Sequence, residues 1–237
     1  MLTNKTALVT GSAKGIGKDI LYKLANEGCF VILHYNKSSK EAKQIIKDLK
    51  TQGKSIKAYK ADLTSETETL NLFKQIKKDF GKLDILINNI GNYLNKDLNN
   101  LTTKEWHYII NSNLNATFYC IKNALPLLRK SKSGRIINIG YASSGLMIGR
   151  PNILPYQISK TGILLMTRAY AKSEAKNKIL INMLSPGYME NSIDFSKKLV
   201  PLQKKGSIKE FTELVIQTIK NNYLTGAHIE YSGGFGI

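Results

Sequence analysis

Apolar positions along this chain follow two alternating periods. Short runs dense in β-branched and aliphatic residues recur as "TALVT" (6–10), "CFVILHY" (29–35), "SIKAYKAD" (55–62), "LDILINN" (83–89), "GRIINIG" (134–140), "ILINMLS" (179–185) and "AHIEYSG" (227–233). Each predicts a strand. Between them the spacing turns helical. In "GKDILYKLANEG" the residues Ile20, Leu21, Leu24 and Ala25 share one face, and Gly28 closes the segment. "SKEAKQIIKDLKTQG" predicts a helix that starts after Ser39 and ends at Gly53. Ser65 caps "ETETLNLFKQIKKDFG", which carries acids in its first turn and lysines in its last, as the helix dipole prefers. In "PYQISKTGILLMTRAYAKSEA" the run Ile163, Leu164, Leu165, Met166 is apolar around more than one face, so this helix is either central in the monomer or covered by a second chain.

Strands separated by helices pair through right-handed βαβ crossovers into a parallel sheet covered on both faces. With no repeat, low-complexity segment or linker, residues 1–237 read as one domain. The fold class is α/β, a seven-stranded, doubly wound Rossmann sheet. Ligands of such sheets bind at the carboxyl ends of the strands, and every motif below falls at such an end.

Composition narrows the class. The chain has 237 residues, of which 42% are hydrophobic, within the range of soluble domains. No apolar run is long enough for a signal peptide or a membrane span, so a cytoplasmic protein without a membrane partner is expected. Cys29 and Cys120 stand apart without a CxxC or histidine cluster, which predicts reduced core thiols and no metal. The net charge of +18 suits an anionic partner, whether a nucleotide or an acidic carrier protein. Its lysines are scattered and its arginines confined to Arg129, Arg135, Arg150 and Arg168. That dispersal argues against a nucleic-acid footprint, which clusters basic residues.

The chemistry begins at "TGSAKGIG" (10–17), after the first strand and opening the first helix. Gly11, Gly15 and Gly17 let backbone approach a pyrophosphate, with Ser12, Lys14 and Ile16 between them. The spacing TGxxxGxG resembles the short-chain dehydrogenase/reductase family. Further motifs follow in that family's order: "NNIG" (88–91), Asn113 in "SNLNATF", Tyr156 and Lys160 in "PYQISK", "SPG" (185–187) and "YLTGAHIEYSGG" (223–234). The resemblance implies reversible hydride transfer between a nicotinamide and a carbonyl or alcohol.

Such a transfer needs a proton donor at the carbonyl oxygen. A phenol's ordinary pKa near ~10 is too high for efficient exchange at neutral pH. An ammonium one helical turn away favours the phenolate. Tyr156 is therefore the expected acid/base and Lys160 its tuner. The resemblance adds a ribose contact for Lys160 and a water-holding role for Asn113. It also implies cofactor contacts at Asn89, Gly91, Pro186 and Gly187, and at Asp62 with Leu63 around the adenine.

The second strand ends "HYNKSS" with no acid to take ribose hydroxyls. His34, Asn36, Lys37 and Ser38, with Lys14, suit a 2′-phosphate, so NADPH is the expected cofactor. After "SPG" the family's threonine position holds Asn191, so the nicotinamide amide would meet Asn191 or Ser192. The Pro186–Pro201 stretch is shorter than the family's usual lid, which predicts an open pocket.

The family's serine is ambiguous here. Counting back from Tyr156 reaches Ser143, while strand register from "GRIINIG" reaches Tyr141. Register favours Tyr141, because loops accept insertions more readily than buried strands. Room for substrate favours Ser143, a smaller group than a phenol.

The chain most resembles the branch containing β-ketoacyl-acyl-carrier-protein reductases, which implies an acidic acyl carrier protein as partner and a homotetramer. "HYNKS" also resembles the basic strand-two ending of pteridine reductases. A third reading is a non-catalytic NADPH-binding regulatory protein.

Overall fold

The computed structural model describes residues 1–193 and 195–236. Its strands are β1 (Thr6–Val9), β2 (Phe30–Tyr35), β3 (Ile56–Lys60), β4 (Ile85–Asn88), β5 (Arg135–Ile139), β6 (Leu180–Pro186) and β7 (His228–Tyr231). They form one sheet in the order β3-β2-β1-β4-β5-β6-β7, with every pairing parallel. The order reverses at β1, so the chain leaves the adjacent strands β1 and β4 toward opposite faces of the sheet. That switch point opens a crevice at the carboxyl edge.

The five inner strands are buried on both faces, while the edge strands β3 and β7 are partly exposed, and the period of two divides the inward side chains between two cores. Ala7, Val9, Val31, Leu33, Ile85, Ile87, Ile137 and Ile139 point to one side. There they meet α1 (Gly15–Asn26), α2 (Ser39–Thr51) and α7 (Ile208–Lys220). Leu8, Ile32, Leu86 and Ile136 point to the other, against α3 (Glu66–Phe80) and α5 (Ala116–Ser131). Ser65 caps α3 as expected, accepting from the Glu68 N–H. Helix α2 takes in Ser39 itself, and Ser38 stands at its N-cap position.

Three helices had no sequence expectation. Helix α4 (Thr103–Ile110) runs through a π turn (Asn111–Asn115) into α5. Thr102 and Glu105 form a capping box at the start of α4. Pro126 lies inside α5 on an exposed position, where the carbonyl it leaves unpaired can face water. Helix α7 is held by Arg135, whose guanidinium donates to the Ile219 carbonyl (2.9 Å) and to Asn222 Oδ1 (2.8 Å). No helix among the described residues is long and apolar enough to cross a membrane.

Candidate active site

The crevice contains two adjoining clefts. The first, of about 530 Å³, is lined by Gly11, Lys14, Asn36, Lys37, Ser38 and Asp62 from one wall and by Asn89 and Gly91 from the other. The second, of about 380 Å³, is lined by Ile16, Tyr141, Tyr156, Pro186, Gly187 and Asn191, together with Tyr93, Tyr188, Met189 and Phe235.

The glycine loop is shaped by its neighbours. Gly11 and Gly15 have φ of +61° and +54°, which glycine adopts without strain. A Cβ on Gly17 would lie 2.4 Å from Asn89 Nδ2 and 2.9 Å from the Gly11 carbonyl oxygen. Asn89 cannot easily yield, because its amide donates to the Thr10 carbonyl (3.0 Å) and the Gly11 carbonyl (3.3 Å). No side chain caps the start of α1, so its first N–H groups remain available to an anion. These features fit a dinucleotide pyrophosphate.

Two residues expected at the cofactor lie behind the loop. His34 is buried, and its Nδ1 accepts from the Gly11 N–H at 3.0 Å. Its proton is therefore on Nε2, which donates to the Ala61 carbonyl at 3.0 Å. Burial pushes the imidazole down to about 4, so it is neutral near pH 7. The Ser12 hydroxyl accepts from the His34 N–H at 3.2 Å. Both residues shape the loop, and neither lines a cleft. The Leu63 side chain is likewise in the core, against α3.

At the β2 end, Lys14 pairs with Glu41 of α2 at 2.7 Å. The Lys14 hydrogen bond holds the Glu41 carboxyl below its ordinary range. Burial opposes ionisation of Asp62, but hydrogen bonds from Thr64 and Asn36 outweigh it and hold that carboxyl low.

In the second cleft Tyr156 is flanked edge-to-face by Tyr93 (centroids 5.1 Å apart) and Tyr141 (5.6 Å). The Lys160 Nζ is buried, 5.4 Å from the Tyr156 ring centroid, and donates to the Ile139 carbonyl at 2.9 Å. Burial lowers its pKa to about 8. Burial raises the Tyr156 phenol, with the neighbouring phenols of Tyr141 and Tyr93 adding to the rise. The expectation that Lys160 lowers the phenol is thus not met in the protein alone. Desolvation of the phenolate and the two neighbouring phenols all push upward, while the direct bond of the Lys160 ammonium goes to a carbonyl.

Asn113 sits in the π turn. Its Nδ2 donates to the carbonyls of Asn92 (2.9 Å) and Ile109 (3.0 Å), and its Oδ1 is buried with no partner. Gly91 lets the β4 end pass over it, because a Cβ there would lie 2.2 Å from Asn113 Oδ1 and 3.3 Å from Lys160 Nζ. The structure therefore brings Tyr156, Lys160 and Asn113 to one place.

Tyr141 and Ser143 separate. Tyr141 lines the cleft beside Tyr156. Ser143 adopts φ +74° and is buried, outside the lining of either cleft. Its hydroxyl has no partner and lies where a Cβ on Gly236 would fall, 2.1 Å away. Its N–H donates to Glu230 at 2.9 Å. In the lid, Asn191, Ser192 and Ile193 all line the cleft, and the Ser192 hydroxyl already accepts from the Met189 N–H (2.9 Å). Tyr93, Tyr188 and Phe235 had no sequence signal beyond their closeness to "NNIG", "SPG" and the "YSGG" that begins at the last residue of β7.

A family model described as short chain dehydrogenase matches residues 5–199. The chain belongs to the short-chain dehydrogenase family. Among relatives, it is 34% identical to the 3-oxoacyl-[acyl-carrier-protein] reductase FabG of Buchnera aphidicola, over 98% of this chain and 97% of that one. It is 30% identical to the Staphylococcus aureus protein of the same name, over 99% of both. Among solved structures, a mutant short-chain dehydrogenase/reductase of Serratia marcescens superposes with a TM-score of 0.92 at 26% identity, covering 100% of this chain and 99% of that chain. A dehydrogenase/reductase of Sinorhizobium meliloti gives 0.91 at 26%, covering 100% and 96%. This short-chain dehydrogenase family member is thus an oxidoreductase by family, with a crevice suited to a nicotinamide dinucleotide.

Proposed function

We propose that the protein is an NADPH-dependent carbonyl reductase of the 3-oxoacyl-acyl-carrier-protein reductase type. The observation that carries this reading is a phenol, Tyr156, lining an apolar cleft with a buried lysine at its ring and an unpartnered amide oxygen behind. NADPH, when bound, supplies hydride to the carbonyl carbon. Tyr156 donates its proton to the carbonyl oxygen as charge develops there. Its raised pKa in the free protein keeps that proton in place until substrate arrives. Lys160, with its proton, stabilises the phenolate left behind, and Asn113 Oδ1 accepts from a water that reprotonates the pair. Tyr141 supplies the second hydrogen bond to the oxygen, and its position beside Tyr156 favours it over Ser143. Gly11, Lys14, Asn36, Lys37, Ser38, Asp62, Asn89 and Gly91 hold the adenosine half. Ile16, Pro186, Gly187 and Asn191 hold the nicotinamide half.

Preference for the 2′-phosphate is supported by Lys37 and Ser38, and by Lys14 once the phosphate displaces its Glu41 partner, at the end of a strand with no acid of its own. Isothermal titration should give tighter binding of NADPH than NADH, and Asn36→Asp should reverse the order by like-charge repulsion. Equal affinities would contradict it. An acidic carrier protein fits the net charge of +18 and the names of the relatives.

The ring-lined cleft supports a second reading, because Tyr93, Tyr141 and Phe235 could stack a flat heteroaromatic ring, as a pteridine reductase would require. Turnover of an acetoacetyl thioester against a biopterin-type substrate separates the two. NADPH binding without turnover of either supports a regulatory role instead.

A further inference from the structure

Arg150 stands beside the second cleft with no task in the scheme above. It belongs to the loop between β5 and α6 (Leu154–Glu174). Its backbone N–H donates to Gln157 Oε1 at 3.0 Å, and Gln157 Nε2 donates in turn to the Ile148 carbonyl. The first turn of α6 therefore clamps this loop. The guanidinium carbon lies 4.9 Å from the Phe235 ring centroid. Phe235 is itself a wall of the cleft, with Tyr188 at 5.3 Å and Tyr141 at 6.1 Å between ring centroids. Burial pushes the Tyr141 phenol up, and the Arg150 charge is the influence that opposes it. Arg150 is thus electrostatically close to the reacting end of the cleft.

Two of the chain's four arginines are fully engaged, Arg168 is exposed, and Arg150 alone of the four has a buried donor without a partner among the described residues. Arg129 makes two bonds to Glu174, at 2.6 and 3.0 Å. Arg135 spends its donors on three carbonyls and an amide oxygen. Among the described residues Arg150 has no ion pair, and its Nε is buried with no hydrogen-bond partner. An unsatisfied buried donor on a charged group is costly. A ligand acceptor would relieve that cost. A planar guanidinium is also a better carboxylate or phosphate clamp than an ammonium, because its paired donors are fixed in direction.

We infer that Arg150 binds an anionic group of the substrate, a carboxylate or phosphate carried past the edge of Phe235, and so sets specificity for anionic carbonyl compounds. The inference rests on the carbonyl-reductase reading, and deepens it. The anion has two possible sources: the carboxylate of a free oxo acid, or the phosphates of a phosphopantetheine-type thioester.

The test compares three substrates sharing one acyl chain: acetoacetate, acetoacetyl-CoA and the neutral acetoacetyl N-acetylcysteamine ester. It uses the full-length protein and its Arg150→Ala and Arg150→Lys variants. In Arg150→Ala the ratio of kcat/KM for an anionic substrate to that for the neutral ester should fall at least ~10-fold, mainly through KM, as expected for a lost charge-assisted bond. Arg150→Lys should recover part of it. A fall confined to acetoacetate names the carboxylate, and one confined to the CoA ester names the phosphates. An equal loss on all three substrates would overturn the inference. If the wild type reduces none of them, calorimetric titration of the NADPH-loaded protein with acetoacetate and with CoA decides. Anion binding abolished by Arg150→Ala upholds the inference while the reductase reading fails. No anion binding to the wild type overturns the inference. Should the alanine variant melt early, Arg150→Lys and Arg150→Gln carry the comparison.

Discussion

At the scale of single residues, the two candidate hydroxyls past β5, Tyr141 and Ser143, stand in different physical circumstances. Tyr141 presents a phenol to the cleft beside Tyr156. Ser143 is held at φ +74° with a hydroxyl that is buried and unpartnered. Tyr141→Phe should lower kcat at least ~10-fold with little change in NADPH affinity, since it removes a bond made to developing charge. Ser143→Ala should leave kcat within roughly threefold. Ser143→Gly should stabilise the fold by about 1 kcal/mol, by removing both an orphaned hydroxyl and a left-handed non-glycine backbone. Stopped-flow kinetics and thermal melts check these outcomes, and a kcat loss confined to Ser143→Ala would reverse the assignment. His34 makes a separate prediction. Its folded pKa, about 4, is depressed from 6.5. The unfolded chain therefore binds more protons in that window, and the stability is present above pH 6.5 and lost as pH falls toward 4, by about 3 kcal/mol in all. In His34→Gln an amide can still accept from Gly11 and donate to Ala61 without titrating. Urea unfolding between pH 7 and 4 should show a shallower decline in that variant, and equal slopes would contradict a neutral buried His34.

At the scale of elements, the close approach of α1 to the β4 end governs the crevice. Gly17→Ala should push the first turn of α1 away from Asn89 and the Gly11 carbonyl, cost about 1–3 kcal/mol of stability, and weaken NADPH binding at least ~10-fold. Calorimetry on the variant checks this, and unchanged affinity would show that the approach is not needed. The strands were legible because a doubly covered parallel strand is a continuous apolar run, and five of the seven runs are mostly buried, those of β3 and β7 excepted. Helices α1 to α3 were legible through periodicity and end signals such as Ser65. Helices α4, α5 and α7 were not read: the π turn breaks the 3.6 period between α4 and α5, and Pro126 mimics a helix break. The motif residues Tyr156, Lys160 and Asn113 could be named because the family's motifs recur in order along the whole chain. The ring wall of Tyr93, Tyr188 and Phe235 could not, because three separate loops supply it and only the fold brings them together. His34 was misjudged for a related reason. Its position at a strand end was legible, but the direction of its side chain, into the Gly11 N–H, was not.

At the scale of the whole molecule, α6 presents two faces. One carries Tyr156 and Lys160 inward, while Leu165 is 62% exposed and Ile158 41%. Phe118 on α5 is exposed as well. Apolar positions left open on the helix that carries the site favour a homo-oligomer, with a tetramer expected from the family resemblance. Light scattering at micromolar concentration should give a mass of several chains. A monomer would contradict it, and would leave the exposed face of α6 unaccounted for. In the proposed function one atom, the Tyr156 hydroxyl, gives the proton. The most direct test is single-turnover reduction of an acetoacetyl thioester by wild type and Tyr156→Phe, with NADPH affinity measured on the same samples. The account predicts a fall of at least ~100-fold in the rate of reduction with NADPH affinity nearly unchanged. Retention of more than about a tenth of the wild-type rate, with the cofactor bound normally, would contradict it.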